Sequence, residues 1–233
     1  MSPPPFPVVE YRRYRTVPGR REALVELFER AFLESQEAAG AWVIGQFRDI
    51  DRPDTFNWLR GFTSMEARRE ASTAFYCGPV WQAHREAANA TMEDSDDVYL
   101  LQPWDHVLTA PGTRAAPEAA GGRGRGLLAA VTCPLSGDEA GFAALFDRAA
   151  AEARIETLAR FVGLHEENTF PRLPVRTGEP VFVWLASVGD REGWSRLNNA
   201  LQAAAAWREA SALLSAAPEV RLLEPTARSR LQA

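Results

Sequence analysis

The sequence predicts an α+β fold built from two tandem βαββαβ modules. The chain has 233 residues, of which 46% are hydrophobic and 24% charged, as in folded globular proteins with a substantial core. Short motifs of the first half recur in the second half at nearly constant spacing. A segment rich in Pro, Gly, Ala and Arg lies between the two copies, a composition typical of a linker.

The internal repeat rests on three blocks of sequence. Gly19 and four following residues recur 118 positions later, and Trp58 and Trp81 recur 126 positions later. Both halves then close on similar apolar segments that end in Pro103 and Pro225. These matches predict a disordered tail at residues 1–7, a first domain at 8–103, a linker at 104–126, a second, diverged domain at 127–225 and a C-terminal tail at 226–233.

Local patterns predict the first elements of the first copy. Residues 8–16 are strand-like and end before the turn residue Gly19. The next segment places apolar residues from Leu24 to Phe32 at the i, i+3, i+4, i+7, i+8 spacing of one helix face. Gly40 is placed to end this helix.

The remaining elements follow from turn and helix signals. An Asp-Arg-Pro-Asp turn predicts a hairpin, a Thr-Ser-Met-Glu sequence resembles a helix capping box, and a Gly-Pro pair is expected to break the second helix. The second copy repeats the order, with a helix stripe of its own. The predicted spans are strands at 42–50 and 56–62, a capping box at 63–66, a break at 78–79, a helix at 80–92, a strand at 98–102 and the stripe Phe142, Leu145, Phe146 and Ala149.

The βαββαβ order predicts an antiparallel sheet covered by helices on one face only. The bare face of each module needs a partner, and a second copy in the same chain supplies one. We therefore expect two ferredoxin-like modules whose sheets pack face to face as an intrachain barrel. The cavity between the sheets is the expected functional site.

Composition excludes several functional classes. The net charge of −5 makes nucleic acid an unexpected partner. The sequence contains no lysine, which excludes a Schiff-base lysine, a pyridoxal phosphate site and a P-loop, and it has no dinucleotide-binding glycine motif. The acidic groups near His165 and Asp94 lack the spacing of zinc or calcium sites, so no metal site is predicted.

The start of the chain and its hydropathy predict a cytoplasmic protein without a membrane partner. The first residues lack a basic segment followed by an apolar one, and no run approaches the ~18 apolar residues of a membrane span. Cys77 and Cys133 are expected to be packing residues rather than a disulfide. Whether two chains associate as a homodimer stays open.

Several motifs of the first half resemble one known family. They are Glu10-Tyr-Arg-Arg-Tyr14 with Pro18-Gly19, Trp58-Leu-Arg-Gly-Phe-Thr-Ser-Met-Glu-Ala-Arg68, Gly78-Pro-Val-Trp81 with His84-Arg85, and Leu100-Leu-Gln-Pro103. In this order and spacing they are similar to NIPSNAP domains, and the second half resembles a diverged copy. The resemblance implies membership of the dimeric α+β barrel group, which includes cofactor-free monooxygenases, polyketide cyclases, isomerases and haem-handling proteins.

Two strands carry candidate site residues. Glu10, Arg12 and Tyr14 alternate along the first strand and share one sheet face. If this face lines the cavity, the arginine can bind an anionic oxygen, while Glu10 either holds the arginine or takes a proton. An internal ion pair on the sheet is the alternative. Trp58, Arg60 and Phe62 form a second alternating set, two aromatic residues that flank a cation, suited either to an anionic aromatic ligand or to core packing with a solvated arginine.

The repeat indicates which half carries chemistry. At an offset of 118, Glu10, Arg12 and Tyr14 correspond to Leu128, Ala130 and Thr132, and at 126, Arg60 and His84 correspond to Ala186 and Ala210. The second copy thus has no polar counterpart of these residues other than Thr132. We therefore expect one working pocket, formed by the first half and walled by the second.

Helix and loop residues complete the candidate set. His84 lies one helical turn from Trp81 and is a candidate for acid–base work or for haem ligation, with a packed histidine as the alternative. Arg172 and Arg176 lie on a proline-stiffened loop of the second copy, which either covers the cavity or forms a rigid surface hairpin.

The expected function is that of a small-molecule enzyme of bacterial biosynthetic type, working without a nucleotide cofactor on a hydrophobic, aromatic or polyketide-like substrate. His84, Glu10 and Tyr14 are the catalytic candidates, and the monooxygenase, cyclase and isomerase reactions remain open. The alternative is a non-catalytic protein that binds a hydrophobic ligand or haem. The substrate-binding candidates are Arg12, Trp58, Arg60, Trp81, Arg172 and Arg176.

Overall fold

Each half of the chain folds as βαββαβ in the computed structural model, which describes residues 6–105 and 113–233. In the first half, α1 continues through a π-helical turn, Phe28–Phe32, into α2, and the extra strand β4 follows α4. The elements of the first half are β1 (Val8–Thr16), α1 (Arg21–Leu27), α2 (Leu33–Ala38), β2 (Trp42–Asp49), β3 (Thr55–Phe62), α3 (Met65–Cys77), α4 (Pro79–Asn89), β4 (Met92–Asp94) and β5 (Val98–Pro103).

The second half repeats this order after a short 3₁₀ turn, Pro117–Ala119. It has one long helix where the first half has two segments, and its first hairpin has a much longer loop, residues 164–180. Its elements are β6 (Leu128–Pro134), α5 (Glu139–Ala153), β7 (Ala159–Gly163), β8 (Val181–Ser187), α6 (Arg191–Ala203), α7 (Ala205–Ser211) and β9 (Glu219–Pro225).

Eight strands form one closed antiparallel barrel. Their order is β3-β2-β9-β6-β8-β7-β5-β1, and pairing of β1 with β3 closes the ring. The halves meet edge to edge at β2–β9 and at β5–β7, so each half supplies four neighbouring strands. The short strand β4 pairs with the end of β1 outside this ring. The predicted α+β barrel of two ferredoxin-like modules is confirmed.

Apolar side chains from every barrel strand pack in the barrel interior. Val9 and Tyr11 of β1 belong to this cluster, so the odd-numbered positions of β1 face inward. Glu10, Arg12 and Tyr14 therefore face outward, beneath the helices. The prediction of a polar cavity between the two sheets is wrong. The inward-facing positions of the first half carry mainly core residues, and the polar residues Glu10, Arg12 and Tyr14 lie on the opposite face of the sheet.

Helices cover the outer face of each half. In the first half, α1 to α4 pack on outward-facing residues such as Phe56 and Trp58, and in the second half α5 to α7 pack on Phe182 and Trp184. Over the described part of the chain, each helix is too short or too polar to cross a bilayer. One helix start differs from its prediction: the cap is Ser64, which accepts a hydrogen bond from the backbone of Ala67, rather than a box closed by Glu66.

Segments outside the two modules are also packed. Phe6, placed in the predicted disordered tail, is fully buried in the barrel interior. Leu231 of the predicted C-terminal tail is buried in the same cluster, and its backbone N–H bonds the carbonyl of Ile44. In the linker, the carbonyls of Gly121 and Gly122 accept hydrogen bonds from Arg48. The ordered domain thus extends beyond the predicted boundaries of residues 8 and 225.

We expect Phe6→Ala to lower the free energy of unfolding by about 3–5 kcal/mol, because it removes a buried ring that packs against Gly61 and Trp42. Denaturant unfolding of the purified variant measures the loss. The control is Leu158→Ala at an exposed site, where a change within about 0.5 kcal/mol is expected. An equal, small effect at both positions would show that Phe6 is not part of the core.

Candidate functional site

One buried carboxylate holds three arginines beneath the helices of the first half. Glu10 Oε2 accepts hydrogen bonds from Arg12 Nη1 and Arg60 Nε, both at 2.7 Å. Its Oε1 accepts a third from Arg68 Nε at 2.6 Å. All four side chains are completely shielded from solvent. We call these four residues the arginine cluster.

Strand register and a helix cap bring the arginine cluster together. Glu10 on β1 lies directly opposite Arg60 on β3, and Arg12 follows two residues later on the same face. Arg68 comes from the first turn of α3, whose start is fixed by the Ser64 cap. Two strands and one helix therefore converge on one carboxylate.

The arginine cluster carries excess positive charge. One carboxylate faces three guanidinium groups, which gives the buried set a formal charge of +2. Burial by itself would raise the pKa of Glu10, but the charges of Arg60, Arg12 and Arg68 outweigh it and hold that pKa far below its ordinary value. Glu10 therefore holds the arginines in place and does not act as a proton acceptor near neutral pH.

Tyr14 connects the arginine cluster to a pocket. Arg12 Nε donates a hydrogen bond of 2.8 Å to the Tyr14 hydroxyl, so the hydroxyl acts as acceptor and its own proton is free to donate elsewhere. Burial raises the pKa of Tyr14 to about 12, although Arg12 works in the opposite direction. The tyrosine is thus protonated at neutral pH, and its O–H group can donate a hydrogen bond.

The pocket lies between the helices and the outer face of the first-half sheet. It has an outer chamber of about 160 Å³ and an inner chamber of about 30 Å³, which share Tyr14, Tyr76, Trp81 and Met92. The outer chamber is completed by Asn89, Ser95, Phe170, Arg172 and Leu173. The inner chamber is completed by Leu24, Phe28, Phe32, Gln36, Trp58, Phe75 and Ala88.

Trp58 and Gln36 separate the inner chamber from the arginine cluster. The guanidinium carbons of Arg12 and Arg60 lie 5.5 and 5.3 Å from the centre of the Trp58 ring. Gln36 Oε1 accepts a 2.9 Å hydrogen bond from Arg60 Nη1. A ligand in this pocket would therefore lie among aromatic rings and beside a buried positive charge.

The long loop of the second half covers the outer chamber. Phe170 stacks on Tyr76 with a centroid distance of 6.0 Å, and the exposed Arg172 lines the same chamber. The loop is tied to the arginine cluster, since Arg68 Nη1 donates to Asn168 Oδ1 at 2.9 Å. The second half thus forms a wall of the first-half pocket.

Two predicted site residues lie elsewhere. His84 lies in an open groove between α1 and α4 and meets the pocket only through its ring contact with Phe32, at 6.2 Å. Arg176 lies near an end of the barrel, where it pairs with Asp97 and Glu179. Among the described residues, no group of three or more His, Cys, Asp or Glu side chains is arranged to hold a metal ion.

Strand register corrects the repeat alignment by one residue. Glu10 pairs with Arg60, whereas in the second half Ala129 pairs with Ala186, so the offset in β1 is 119 rather than 118. The first copy therefore has one residue more than the second between this strand position and Gly19, the counterpart of Gly137. The outward positions of β6 are then Ala129, Val131 and Cys133, and all three are apolar.

Arg68, Gln36 and Tyr76 belong to this site and are not among the site residues predicted from the sequence. Arg68 was detectable from the repeat, because it is the fourth residue of α3 and its counterpart in α6 is Trp194. Trp194 packs against Trp184 where the first half has charged groups. Gln36 and Tyr76 gave no comparable signal, since neither belongs to a motif.

We expect Glu10→Gln to lower the free energy of unfolding by about 3–5 kcal/mol, because it leaves three buried guanidinium groups without their anion. Chemical denaturation of the variant provides the measurement. The matched control is Glu66→Gln, which breaks an exposed ion pair with Arg69 and should leave stability unchanged within error. Similar stability of the Glu10 variant and wild type would contradict the central role of this carboxylate.

The same variant should change the pH dependence of stability. A lowered pKa means that Glu10 contributes its full stabilisation above its ordinary value of 4.5 and loses it as the pH falls below that value. Between pH 5 and pH 3, the free energy of unfolding should therefore fall less steeply for Glu10→Gln than for wild type, by up to about 1.4 kcal/mol per pH unit. Parallel pH profiles would contradict the lowered pKa.

Comparisons with known proteins agree with this fold. The NIPSNAP family model matches residues 9–104. Over nearly the full length, the fold is similar to that of a proposed monooxygenase from Fusobacterium nucleatum. The two chains share 8% identity and superpose with a TM-score of 0.59, and the match covers 95% of this chain and 93% of the other. A proposed monooxygenase from Lactobacillus acidophilus shares 13% identity over 96% of this chain and 97% of its own, with a TM-score of 0.56.

A third solved structure, of an anthrone oxidase-like protein, shares 12% identity over 100% of this chain and 98% of its own, with a TM-score of 0.57. At these identities the likeness shows the fold. No curated protein sequence matches the chain. The resemblance predicted from the first-half motifs is confirmed by the family model, which matches the NIPSNAP domain over residues 9–104.

Proposed function

We propose that the protein is a small-molecule enzyme whose pocket lies between the helices and the sheet of the first half. Its substrate is a flat aromatic or polyketide-like compound that reacts through an enolate or phenolate anion. The observation that carries this proposal is that Tyr14 lines both chambers of an aromatic pocket while its hydroxyl oxygen accepts a hydrogen bond from Arg12, which leaves the O–H proton available to a ligand.

The pocket supports binding and ionisation of such a substrate. Its aromatic walls favour a flat, apolar ligand, which Tyr76 and Trp81 contact in both chambers. Tyr14 donates a hydrogen bond to a substrate oxygen as negative charge develops there. The +2 charge of the buried arginine cluster stabilises the same anion across Trp58, and the released proton leaves through the outer chamber to water. Neither step requires a nucleotide cofactor.

Among the reactions open to such an anion, we favour oxygenation by molecular oxygen. The names of the three similar structures, two proposed monooxygenases and an anthrone oxidase-like protein, motivate this choice. In an anthrone-type compound, a ring methylene becomes a carbonyl, one oxygen atom of O₂ enters the product and the other leaves as water. The electrons balance without an external reductant. Cyclisation or isomerisation would use the same anion without oxygen.

We expect Tyr14→Phe to lower kcat for a hydroxylated anthrone about 100-fold, because the variant cannot donate to the developing oxyanion. Oxygen consumption in the presence of the anthrone measures the rate. Tyr99→Phe is the matched control, since Tyr99 packs in the barrel interior and should leave the rate unchanged. Absence of turnover with wild-type protein, or equal rates for both variants, would contradict the proposal.

A second candidate is non-catalytic binding of haem or another hydrophobic ligand at His84. The groove that contains His84 has a volume of about 500 Å³ and is lined mainly by alanines and Leu27, with Arg20 and Arg30 along it. Imidazole can ligate haem iron, and Arg20 can pair with a carboxylate, whereas Arg30 is already paired with Glu26 of the same groove at 2.8 Å. The residues therefore fit haem through His84 and Arg20, in a groove separate from the aromatic pocket.

Absorbance spectra distinguish the second candidate. If His84 ligates haem, purified protein mixed with haemin shows a shifted Soret band that His84→Ala abolishes. The neighbouring variant Arg85→Ala, at an exposed position of the same helix, should retain the shift. An unchanged haemin spectrum with wild-type protein would reject haem ligation at His84.

A further inference from the structure

The aromatic pocket of the first half contains hydrogen-bond donors but no general base. Among the described residues, neither chamber is lined by an Asp, Glu, His, Lys or Cys side chain. The ionisable groups in the lining are Tyr14, Tyr76 and Arg172. Phenols and guanidinium groups ordinarily keep their protons at neutral pH, and burial raises the pKa of Tyr14 to about 12. The described lining therefore offers no group that takes a proton from a substrate.

The nearby carboxylates and the histidine do not fill this role. Glu10 is enclosed by three arginines, which hold its pKa far below its ordinary value. His84 lies in the separate groove between α1 and α4. Asp94 and Asp96 flank Ser95 in the chain, yet neither lines a chamber, and Asp94 Oδ1 accepts from the backbone N–H of Asp96. A substrate in the pocket thus has solvent water as its proton acceptor.

The charges around the pocket favour an anion. Arg172, on the loop that covers the outer chamber, is exposed and lines that chamber, and within the described part of the chain it has no ion pair or side-chain hydrogen bond. Arg176 of the same loop, by contrast, is paired with Asp97 and Glu179. Behind Trp58, the arginine cluster adds a formal charge of +2. Positive charge therefore lies near both chambers.

We propose that the pocket takes substrates that ionise without a protein base and binds them as anions, with Arg172 recognising the charge. The substrate class is phenols and enols conjugated with a carbonyl group, whose hydroxyl is more acidic than that of a simple phenol. The hydroxyl proton passes to water, and the electron pair stays on the substrate. Conjugation shares the charge between two oxygens, one for Tyr14 and one for Arg172. This inference rests on the proposed function, because it names the substrate class of the same pocket.

Two probes of similar shape test whether the anion is the bound form. 4-Nitrophenol ionises near neutral pH and shares its charge between the phenolate and nitro oxygens, whereas 4-nitroanisole has no hydroxyl to ionise. In calorimetric titrations of wild-type protein from pH 6 to pH 9, nitrophenol binding should tighten about tenfold and then level off, because it follows the ionised fraction of the probe. Nitroanisole binding should be weaker and independent of pH. Equal binding of the two probes, or no binding of either, would overturn the proposal.

A less acidic probe separates ionisation of the ligand from ionisation of the protein. 4-Cyanophenol loses its proton at a higher pH than 4-nitrophenol does. If the ligand ionises by itself, the midpoint of its binding profile lies higher by the difference between the two free-probe pKa values. A common midpoint for both phenols would show that a group of the protein controls binding, and the proposal would then be wrong.

Arg172→Gln tests the residue that recognises the charge. The variant should weaken nitrophenolate binding at pH 9 about fivefold and leave nitroanisole binding unchanged, because it removes one exposed cation from the chamber. The matched control Arg208→Gln removes an exposed arginine of α7 in the second half and should bind both probes as wild type does. Nitrophenolate binding that Arg172→Gln leaves unchanged would contradict the role of Arg172.

Oxygen consumption with the anthrone keeps this inference apart from the proposed function. Nitrophenolate binding without oxidation of the anthrone would leave recognition of the anion standing without the reaction. Anthrone oxidation by a protein that binds nitrophenol and nitroanisole equally would overturn recognition of the anion and leave the reaction standing.

Discussion

The site in this structure depends on the pairing of one buried carboxylate with three buried arginines. A lone guanidinium beneath a helical layer would be strongly destabilising, and three of them require a nearby anion. Glu10 supplies it and in doing so fixes Arg12, whose Nε then orients Tyr14. The chemistry of the pocket thus starts from an ion cluster that never reaches solvent.

The closed barrel explains why this cluster lies outside the ring of strands. Both halves contribute apolar residues to one shared interior, so the sheet faces that carry no helices are buried against each other. Space for a ligand remains on the other face, between sheet and helices. The division between the halves follows: the first half keeps charged and aromatic groups there, and the second packs its own face with Phe182 and Trp184 and contributes the covering loop.

Much of the fold was predictable from the sequence because its signals are local or repeated. Strand β1, the apolar helix stripe and the Gly78-Pro79 break follow from patterns within a few residues, and the repeat supplied the two-module architecture. The NIPSNAP motifs of the first half were recognisable for the same reason.

The face on which the site lies was not predictable. Both faces of β1 carry polar and aromatic residues, and only closure of the barrel with the other half, through the β2–β9 and β5–β7 pairings, decides which face becomes the interior. The arginine cluster itself needed Arg68, which comes from a helix 58 positions along the chain from Glu10. Likewise, the burial of Phe6 depends on barrel residues that are distant in sequence, such as Gly61, and no local pattern predicts it.

A crystal structure with a bound hydroxylated anthrone tests the central claim most directly. We expect ligand density between the helices and the outer sheet face of the first half, with a ligand oxygen within hydrogen-bond distance of the Tyr14 hydroxyl. Ligand density inside the barrel, or in the His84 groove with the aromatic pocket unchanged, would contradict it.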